Sequence, residues 1–267
     1  MNIYTYFEEI NFNKQKEILK CWEKTWKNNG FETFILSRTD AEKHPLFANL
    51  CSKLDEKNLT FFKKKFSDTD DRMARFHLSS IIRWLAWAYV VKEPSIVGDF
   101  DILNNGFTLE NAIEDKLIFR DGWCLSLSSG NGNHFENFIK CLIENLDVFY
   151  EETNLLEDNK NRGLFHDQDF IHQICRLKSQ EYFYKVYNFE FSSYPVKNYD
   201  FFDKNIKNTK LLHISHFCVN HIFKKHIREN LQNKKILKFA TKLYEDVEDI
   251  RSDFAENISN GIFYDDN

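Results

Sequence analysis

The sequence predicts an α/β protein: a mixed, mostly parallel sheet flanked by helices, followed by a helical C-terminal part. Three patterns carry that prediction. The first forty residues run strand, amphipathic helix, strand, the order that two parallel strands and a crossover helix require. A long helical period from Asp70 to about Val91 then leads into the short apolar stretch "SIVGDF". Beyond the middle of the chain, Lys234 to about Ile258 is mostly helical in pattern and rich in charge.

The opening "NIYTYF" alternates and is rich in β-formers, which predicts a strand. In "NKQKEILKCWEKTWKNNG", Ile18, Leu19, Trp22 and Trp26 fall on one helical face, with Asn13 placed to cap the start and Gly30 to end it. "FETFILS" is the second strand, and "SRTDAEKHPLFANLCSKL" opens with a cap-like Thr39-Asp40 and continues as short helical pieces around Pro45. Met73, Phe76, Leu78, Ile81, Ile82, Leu85 and Tyr89 recur near a 3.6 period, and that helix must stop before Pro94. Past residue 103, "KLIFRDGWCLSLSSGNGN" holds two short strand-like runs and a Gly/Ser/Asn turn. "HFENFIKCLIENLDVFY" and "DQDFIHQICRLKSQEYF" read as helices, and "EFSSYPV" and "TKLLHISHF" as short strands or loops. Trp22, Trp26, Trp84 and Trp87 sit at helical spacings and are expected in the core. There is no internal repeat and no evident domain boundary, so one domain over 1–267 is expected.

Composition narrows the function classes. With 42% apolar and 29% charged residues, the 267-residue chain has the balance of a folded soluble protein. A net charge of −5 supplies no field for nucleic acid, and the basic run "FFKKKF" reads as a solvated helix face. Six scattered cysteines without a C-x-x-C pair point to reduced thiols. The start "MNIYTYFEEINF" lacks the features of a signal peptide, and no apolar run reaches the ~18 residues of a membrane span. A cytoplasmic location without a transmembrane segment is therefore expected. Glycine-rich phosphate loops and the Gly-x-Ser-x-Gly elbow are absent.

Three Asp-x-Asp triplets occur: Asp68/Asp70, Asp99/Asp101 and Asp167/Asp169. The first lies in a charged helix start, where capping explains it. Asp99/Asp101 follows a predicted strand, and residues two apart at a strand end point to one side, with Phe100 turned to the core. Ligands of parallel α/β sheets sit beyond the carboxyl ends of strands. Two hard oxygen donors there suit Mg²⁺ or Mn²⁺; plain loop polarity is the alternative.

The layout of strand, crossover helix, strand, Arg-bearing helix, strand and Asp-x-Asp resembles the GT-A-fold (Rossmann-like) glycosyltransferases. "SSIIRWLAWAYVVKEPSIVGDFDIL" is similar to their DXD sugar-binding region, with Arg83 and Asp99/Asp101 in the corresponding places. Ser80 stands where an acidic residue often precedes the Arg, and "VKEPSIV" replaces a glycine pair. "FHDQDFI" resembles the Asp-Gln-Asp segment of retaining glycogenin-like and galactosyltransferase-like enzymes; a helix N-cap with an acidic first turn is the other reading. "LLHISHFCVNHI" resembles the C-terminal histidine segment, where His216 before Phe217 fits best as a third metal ligand and His213 second. The Lys-Pro-Trp that usually follows is absent, leaving Lys224 and Lys225 as the nearest cations.

The resemblance implies a metal-dependent glycosyltransferase, using Mn²⁺ or Mg²⁺, that moves a sugar from a nucleotide-sugar donor (a UDP- or GDP-sugar) to a glycan or other hydroxyl acceptor. Residues 1–105 would be the nucleotide-sugar-binding half and 106–267 the acceptor-side half. Asp99, Asp101 and His216 would hold the metal, with Asp99 also reaching the ribose. Arg83 and Lys224 would steady the donor, Thr5 and Tyr6 border the base, and the Ser129-Gly130-Asn131 turn admit the donor sugar. Asp167, Gln168 and Asp169 would lie at the anomeric carbon and favour retention. A non-catalytic GT-A-like binding protein and a sugar-phosphate nucleotidyltransferase are the competing readings; the latter usually needs a glycine-rich first loop that "IYTYFEEINF" lacks.

Overall fold

The computed structural model describes residues 1–10, 15–54, 71–108, 116–119, 126–155, 167, 184–185, 191–193, 210–214, 251–253 and 255–261. It is an α/β structure built on a six-stranded sheet of order β2-β1-β3-β6-β5-β7. The strands are β1 (Asn2–Tyr6), β2 (Glu32–Leu36), β3 (Ser95–Gly98), β5 (Ile118–Phe119), β6 (Leu127–Gly130) and β7 (Tyr184–Lys185). β1 pairs in parallel with β2 and β3, β5 pairs in parallel with β7, and β6 runs antiparallel between β3 and β5. The sheet is thus mixed and mostly parallel. A second sheet of three strands, β4 (Ile102–Asn104), β8 (Phe191–Ser193) and β9 (Leu211–His213), has the order β4-β9-β8.

Both faces of the main sheet are covered, as parallel strands require. On one face, Ile3, Ile96 and Leu127 pack against Ile18, Cys21, Trp22 and Trp26 of α1 (Gln15–Asn28). With the buried Thr25, those α1 positions follow the i, i+3, i+4, i+7, i+8 stripe of a helix that buries one side. Gly30, at φ 84°, ends the helix in the left-handed conformation, and the Gly30 and Phe31 amides close it onto Lys27 and Trp26 carbonyls.

The other face meets α2 (Arg38–Glu42), α3 (47–54), α4 (Asp71–Val90) and α5 (Gly132–Leu155). Tyr4, Tyr6 and Val97 lie in that layer with Trp84, Trp87 and Phe138. All four tryptophans expected in the core are fully buried. The indoles of Trp84 and Trp87 meet edge to face at 4.9 Å, and Phe138 lies 4.2 Å from Trp84. Close approach of α5 to α4 depends on Gly132, where an added Cβ would come within 2.6 Å of both the Ala88 and Val91 carbonyl oxygens.

Local sequence signals needed two adjustments. α2 is capped by Ser37, whose backbone N–H donates to the Asp40 carboxylate at 3.0 Å, so Thr39-Asp40 lies inside the first turn and not at the cap. The expected Ser129-Gly130-Asn131 turn is a strand end followed by a helix cap. Ser129 is fully buried opposite Ile96, and Asn131 Oδ1 accepts the His134 amide at 3.2 Å while His134 Nδ1 accepts the Asn131 amide at 3.1 Å. That reciprocal pair satisfies the first turn of α5. The expected C-terminal helix is represented by 251–253 and 255–259, and the rest of that expectation lies outside the described residues. Among the described residues no helix is long and apolar enough to cross a membrane.

Candidate metal centre

β3 ends in the middle of the main sheet, where Gly98 is the register partner of Thr5 on β1 and Leu127 on β6. The chain then leaves that sheet through a turn at 99–101 and enters the second sheet as β4. The Asp99 amide donates to the Ser126 carbonyl at 2.7 Å, and the Ile102 amide closes the turn on the Asp99 carbonyl at 3.2 Å. On the far side, β9 runs antiparallel to β4 with His213 opposite Ile102, and the Ile214 amide donates to the Asp101 carbonyl at 2.8 Å. Asp99, Asp101 and His213 therefore converge, each offering a ligand atom within 4.8 Å of the others. The two aspartates are gathered by the turn and not by strand alternation. Phe100 between them is half-buried, its ring edge-on to Phe7 at 5.2 Å.

α1 fixes the position of β4. Trp26 Nε1 donates to the Ile102 carbonyl at 2.8 Å, Asn29 Nδ2 to the Asn104 carbonyl at 3.1 Å, and the Asn104 amide to Thr25 Oγ1 at 3.2 Å. These side chains serve the β4 edge that β9 does not pair, so the backbone that carries Asp101 is held on both sides.

Arginines bracket the aspartates. Arg83, from the middle of α4, donates through Nη1 to Asp99 and through Nε and Nη2 to Asp167 Oδ2 at 3.1 and 2.7 Å. Its guanidinium lies 5.1 Å from the Trp87 ring centre. Trp84 Nε1 donates to the same Asp167 oxygen at 2.7 Å. Across the site, Arg251 Nη2 donates to Asp101 Oδ2, and Nε donates to the Ile214 carbonyl at 2.7 Å. His213 Nε2 lies 3.4 Å from Asp101 Oδ1. The order through space is Asp167, Arg83, Asp99, Asp101, Arg251, with Asp99 and Asp101 adjacent like charges.

The electrostatics reflect that juxtaposition. Burial pushes the Asp99 carboxyl up to about 6; Arg83 pulls against this and the Asp101 charge adds to it. Burial opposes the Arg83 charge, yet Asp167 and Asp99 together hold its pKa above the ordinary arginine value. Three carboxylates against two guanidiniums leave the described cluster one negative charge in excess with His213 neutral. Two carboxylates and an imidazole at this spacing make a donor set that fits a hard divalent cation.

The expected site residues divide as follows. Arg83, Asp99 and Asp101 come together, with Asp167 behind Arg83. Here Asp167 is only 3% exposed, with one oxygen receiving three N–H donors, which is the setting of an anchor for Arg83. His213 joins the cluster, while His216, Gln168, Asp169 and Lys224 lie outside the described residues. Thr5 and Tyr6 sit at the adjoining end of β1, but both are buried, and the Tyr6 hydroxyl donates to Glu8 at 2.9 Å. Ser129, Gly130 and Asn131 are not brought to the cluster: Gly130 pairs with Ser95, so the antiparallel register puts them toward the end of β3 opposite Asp99, roughly 10–16 Å away along the strand.

Arg251 was not anticipated. Its sequence signal was an arginine on an apolar stripe, since Arg251, Ala255 and Ile258 are spaced i, i+4, i+7 and all three are buried. No protein-family model matches the chain, and no curated protein matches its sequence.

Proposed function

We propose that the protein is a metal-dependent glycosyltransferase that moves a sugar from a UDP- or GDP-sugar to a hydroxyl acceptor, a glycan being the natural class. The observation that carries this reading is the Asp99–Asp101–His213 cluster at the carboxyl end of a central strand. A divalent ion held there would bring positive charge to the site beside Arg83 and Arg251, which favours an anionic diphosphate over a neutral ligand. Mn²⁺ and Mg²⁺ fit the donor set equally on these grounds.

Asp99, Asp101 and His213 would hold the ion, which when bound would stabilise negative charge developing on the departing nucleoside diphosphate. Arg83 keeps Asp99 oriented, and its own orientation is set by Asp167 and by the face of Trp87. The end of β1, beside Gly98, adjoins the site, with Thr5 and Tyr6 buried behind it. The family resemblance of "FHDQDFI" supports transfer with retention, the leaving diphosphate oxygen taking the acceptor proton on the same face. Asp167, bound by three donors, is not placed in the role of a base in this reading.

That same engagement of Asp167 favours one competing reading, a GT-A-like protein that binds a nucleotide-sugar or glycan without turnover. A panel of UDP- and GDP-sugars incubated with Mn²⁺, with free nucleoside diphosphate measured, separates the two. Release that depends on Mn²⁺ and disappears in Asp101→Ala supports the transferase. Tight diphosphate binding without release supports the binding protein. Calorimetry showing the same diphosphate affinity in Asp101→Ala as in the wild type would remove the site from both.

A further inference from the structure

We infer that Arg251 and Arg83 restrict the two aspartates to single-oxygen ligation, and so make the centre selective for small octahedral cations over Ca²⁺. The inference rests on the metal reading above and concerns which ions that centre accepts. Each aspartate already has one oxygen committed to a guanidinium: Asp99 Oδ1 to Arg83 and Asp101 Oδ2 to Arg251. The Asp101 oxygen facing His213 is the other one, Oδ1, at 3.4 Å from Nε2. A cation beside His213 would therefore meet Asp101 through Oδ1 while Oδ2 stays on the arginine.

Rotation of Asp101 into a chelating pose would break the contact to Arg251, and that contact is built to persist. The Arg251 side chain is fully buried, and its second donor is fixed by the Ile214 carbonyl at 2.7 Å. Its helical segment is anchored by Ala255 and Ile258 in the apolar layer of Trp22 and Trp26, and by the Lys24 ammonium on Asn260 Oδ1 at 2.7 Å. Breaking such a contact takes a carboxylate partner from a buried guanidinium, which is costly. Ca²⁺ takes six to eight oxygens, and commonly two from one carboxylate, whereas Mg²⁺ accepts near-octahedral single-oxygen ligands. A centre whose carboxylates are each held at one oxygen penalises Ca²⁺ more. Arg251 is thus a positioning residue for Asp101, acting on metal choice through a contact 150 residues away in sequence.

The test is calorimetric titration of the full chain with MnCl₂ and with CaCl₂, for the wild type, Arg251→Gln and Arg251→Lys. Loss of a nearby positive charge strengthens binding of both ions alike, so the Ca²⁺-to-Mn²⁺ affinity ratio is the readout. We expect wild-type preference for Mn²⁺ and a ratio raised by about tenfold in Arg251→Gln, the scale on which residues behind metal ligands act. Arg251→Lys, which lacks the planar fork, should shift the ratio the same way. Circular dichroism and thermal melting establish that each variant is folded. Should neither fold, infrared difference spectra of the wild type with Mn²⁺ decide the question. Carboxylate stretches split more widely on single-oxygen ligation, while a narrowed pair would mark chelation and overturn the inference. An unchanged ratio in a folded variant overturns it too, leaving the metal centre in place. Absence of any Mn²⁺ binding by the wild type overturns the metal reading itself.

Discussion

Replacing Asp167 separates an anchoring role from a catalytic one. In Asp167→Leu the carboxylate that receives Arg83 Nε, Arg83 Nη2 and Trp84 Nε1 is lost, at a residue only 3% exposed. Arg83, itself 12% exposed at the side chain, keeps Asp99 as a charged partner but loses the better-buried one. Removing one member of a buried ion pair costs about 3–5 kcal/mol. At ~2–4 °C per kcal/mol for a chain of roughly this size, melting should fall by roughly 6–20 °C. Asp167→Asn, which keeps an acceptor oxygen but no charge, should lose less. The assay is urea unfolding with thermal melting, beside nucleoside diphosphate affinity measured with and without Mn²⁺. If Asp167→Asn and Asp167→Leu both melt as the wild type does while turnover collapses, the anchor reasoning is wrong and Asp167 belongs to the chemistry.

His44 is 5% exposed, accepts the Leu46 amide through Nδ1 at 3.2 Å, and is pushed down from its ordinary pKa by burial, with Glu136 3.8 Å away offsetting part of that. Below pH 6.5 the unfolded chain takes up a proton that the folded one refuses, so stability is lost as pH falls from there, by at most about 1.4 kcal/mol per pH unit. His44→Gln should flatten that part of the urea-unfolding profile, and an identical slope would refute the assignment. Gly132→Ala drives a Cβ to 2.6 Å from the Ala88 and Val91 carbonyl oxygens and should cost about 1–3 kcal/mol despite alanine's better helix propensity; a more stable variant would refute the contact. His213→Ala should lose Mn²⁺ affinity in a calorimetric titration where His216→Ala does not, and the reverse result would restore the sequence-based preference.

What the sequence made legible was local. The period of α1, the cap at Gly30 and the alternation of β1 are written within a few residues of each other, and each is where the pattern put it. The long helix ending before Pro94 and the strand before Asp99 follow the same logic. Neighbour order in the sheet was not legible, because nothing in "LSSG" says that β6 inserts antiparallel between β3 and β5. The misread turn at Ser129-Gly130-Asn131 has the same origin. Ser, Gly and Asn favour loops, but tertiary pairing drew the first two into a strand and left Asn131 to cap α5. What brings His213 to Asp101 is the register of a three-residue strand against β4, which pairing sets and composition does not.

The candidate centre belongs to neither sheet alone. Asp99 terminates the main sheet, whereas Asp101 opens β4 and His213 closes β9 of the second. The turn at 99–101 sets the two aspartates side by side, while the seating of β4 and β9 beside them depends on contacts to those two strands. Those contacts are the bonds from Trp26 and Asn29 to the β4 carbonyls, the Asn104 amide on Thr25, and Arg251 tying Asp101 to the end of β9. All but the Arg251–Asp101 ion pair set a side chain against a backbone partner, and an arrangement displaced by an ångström would leave several polar groups unpaired at ~1–3 kcal/mol each. That collective penalty, together with Arg83 on Asp99 and Arg251 on Asp101, holds the two like-charged carboxylates side by side. It also explains why the polar residues that define the site, from Thr25 to Arg251, are scattered over most of the chain while the motif that announces it spans three residues.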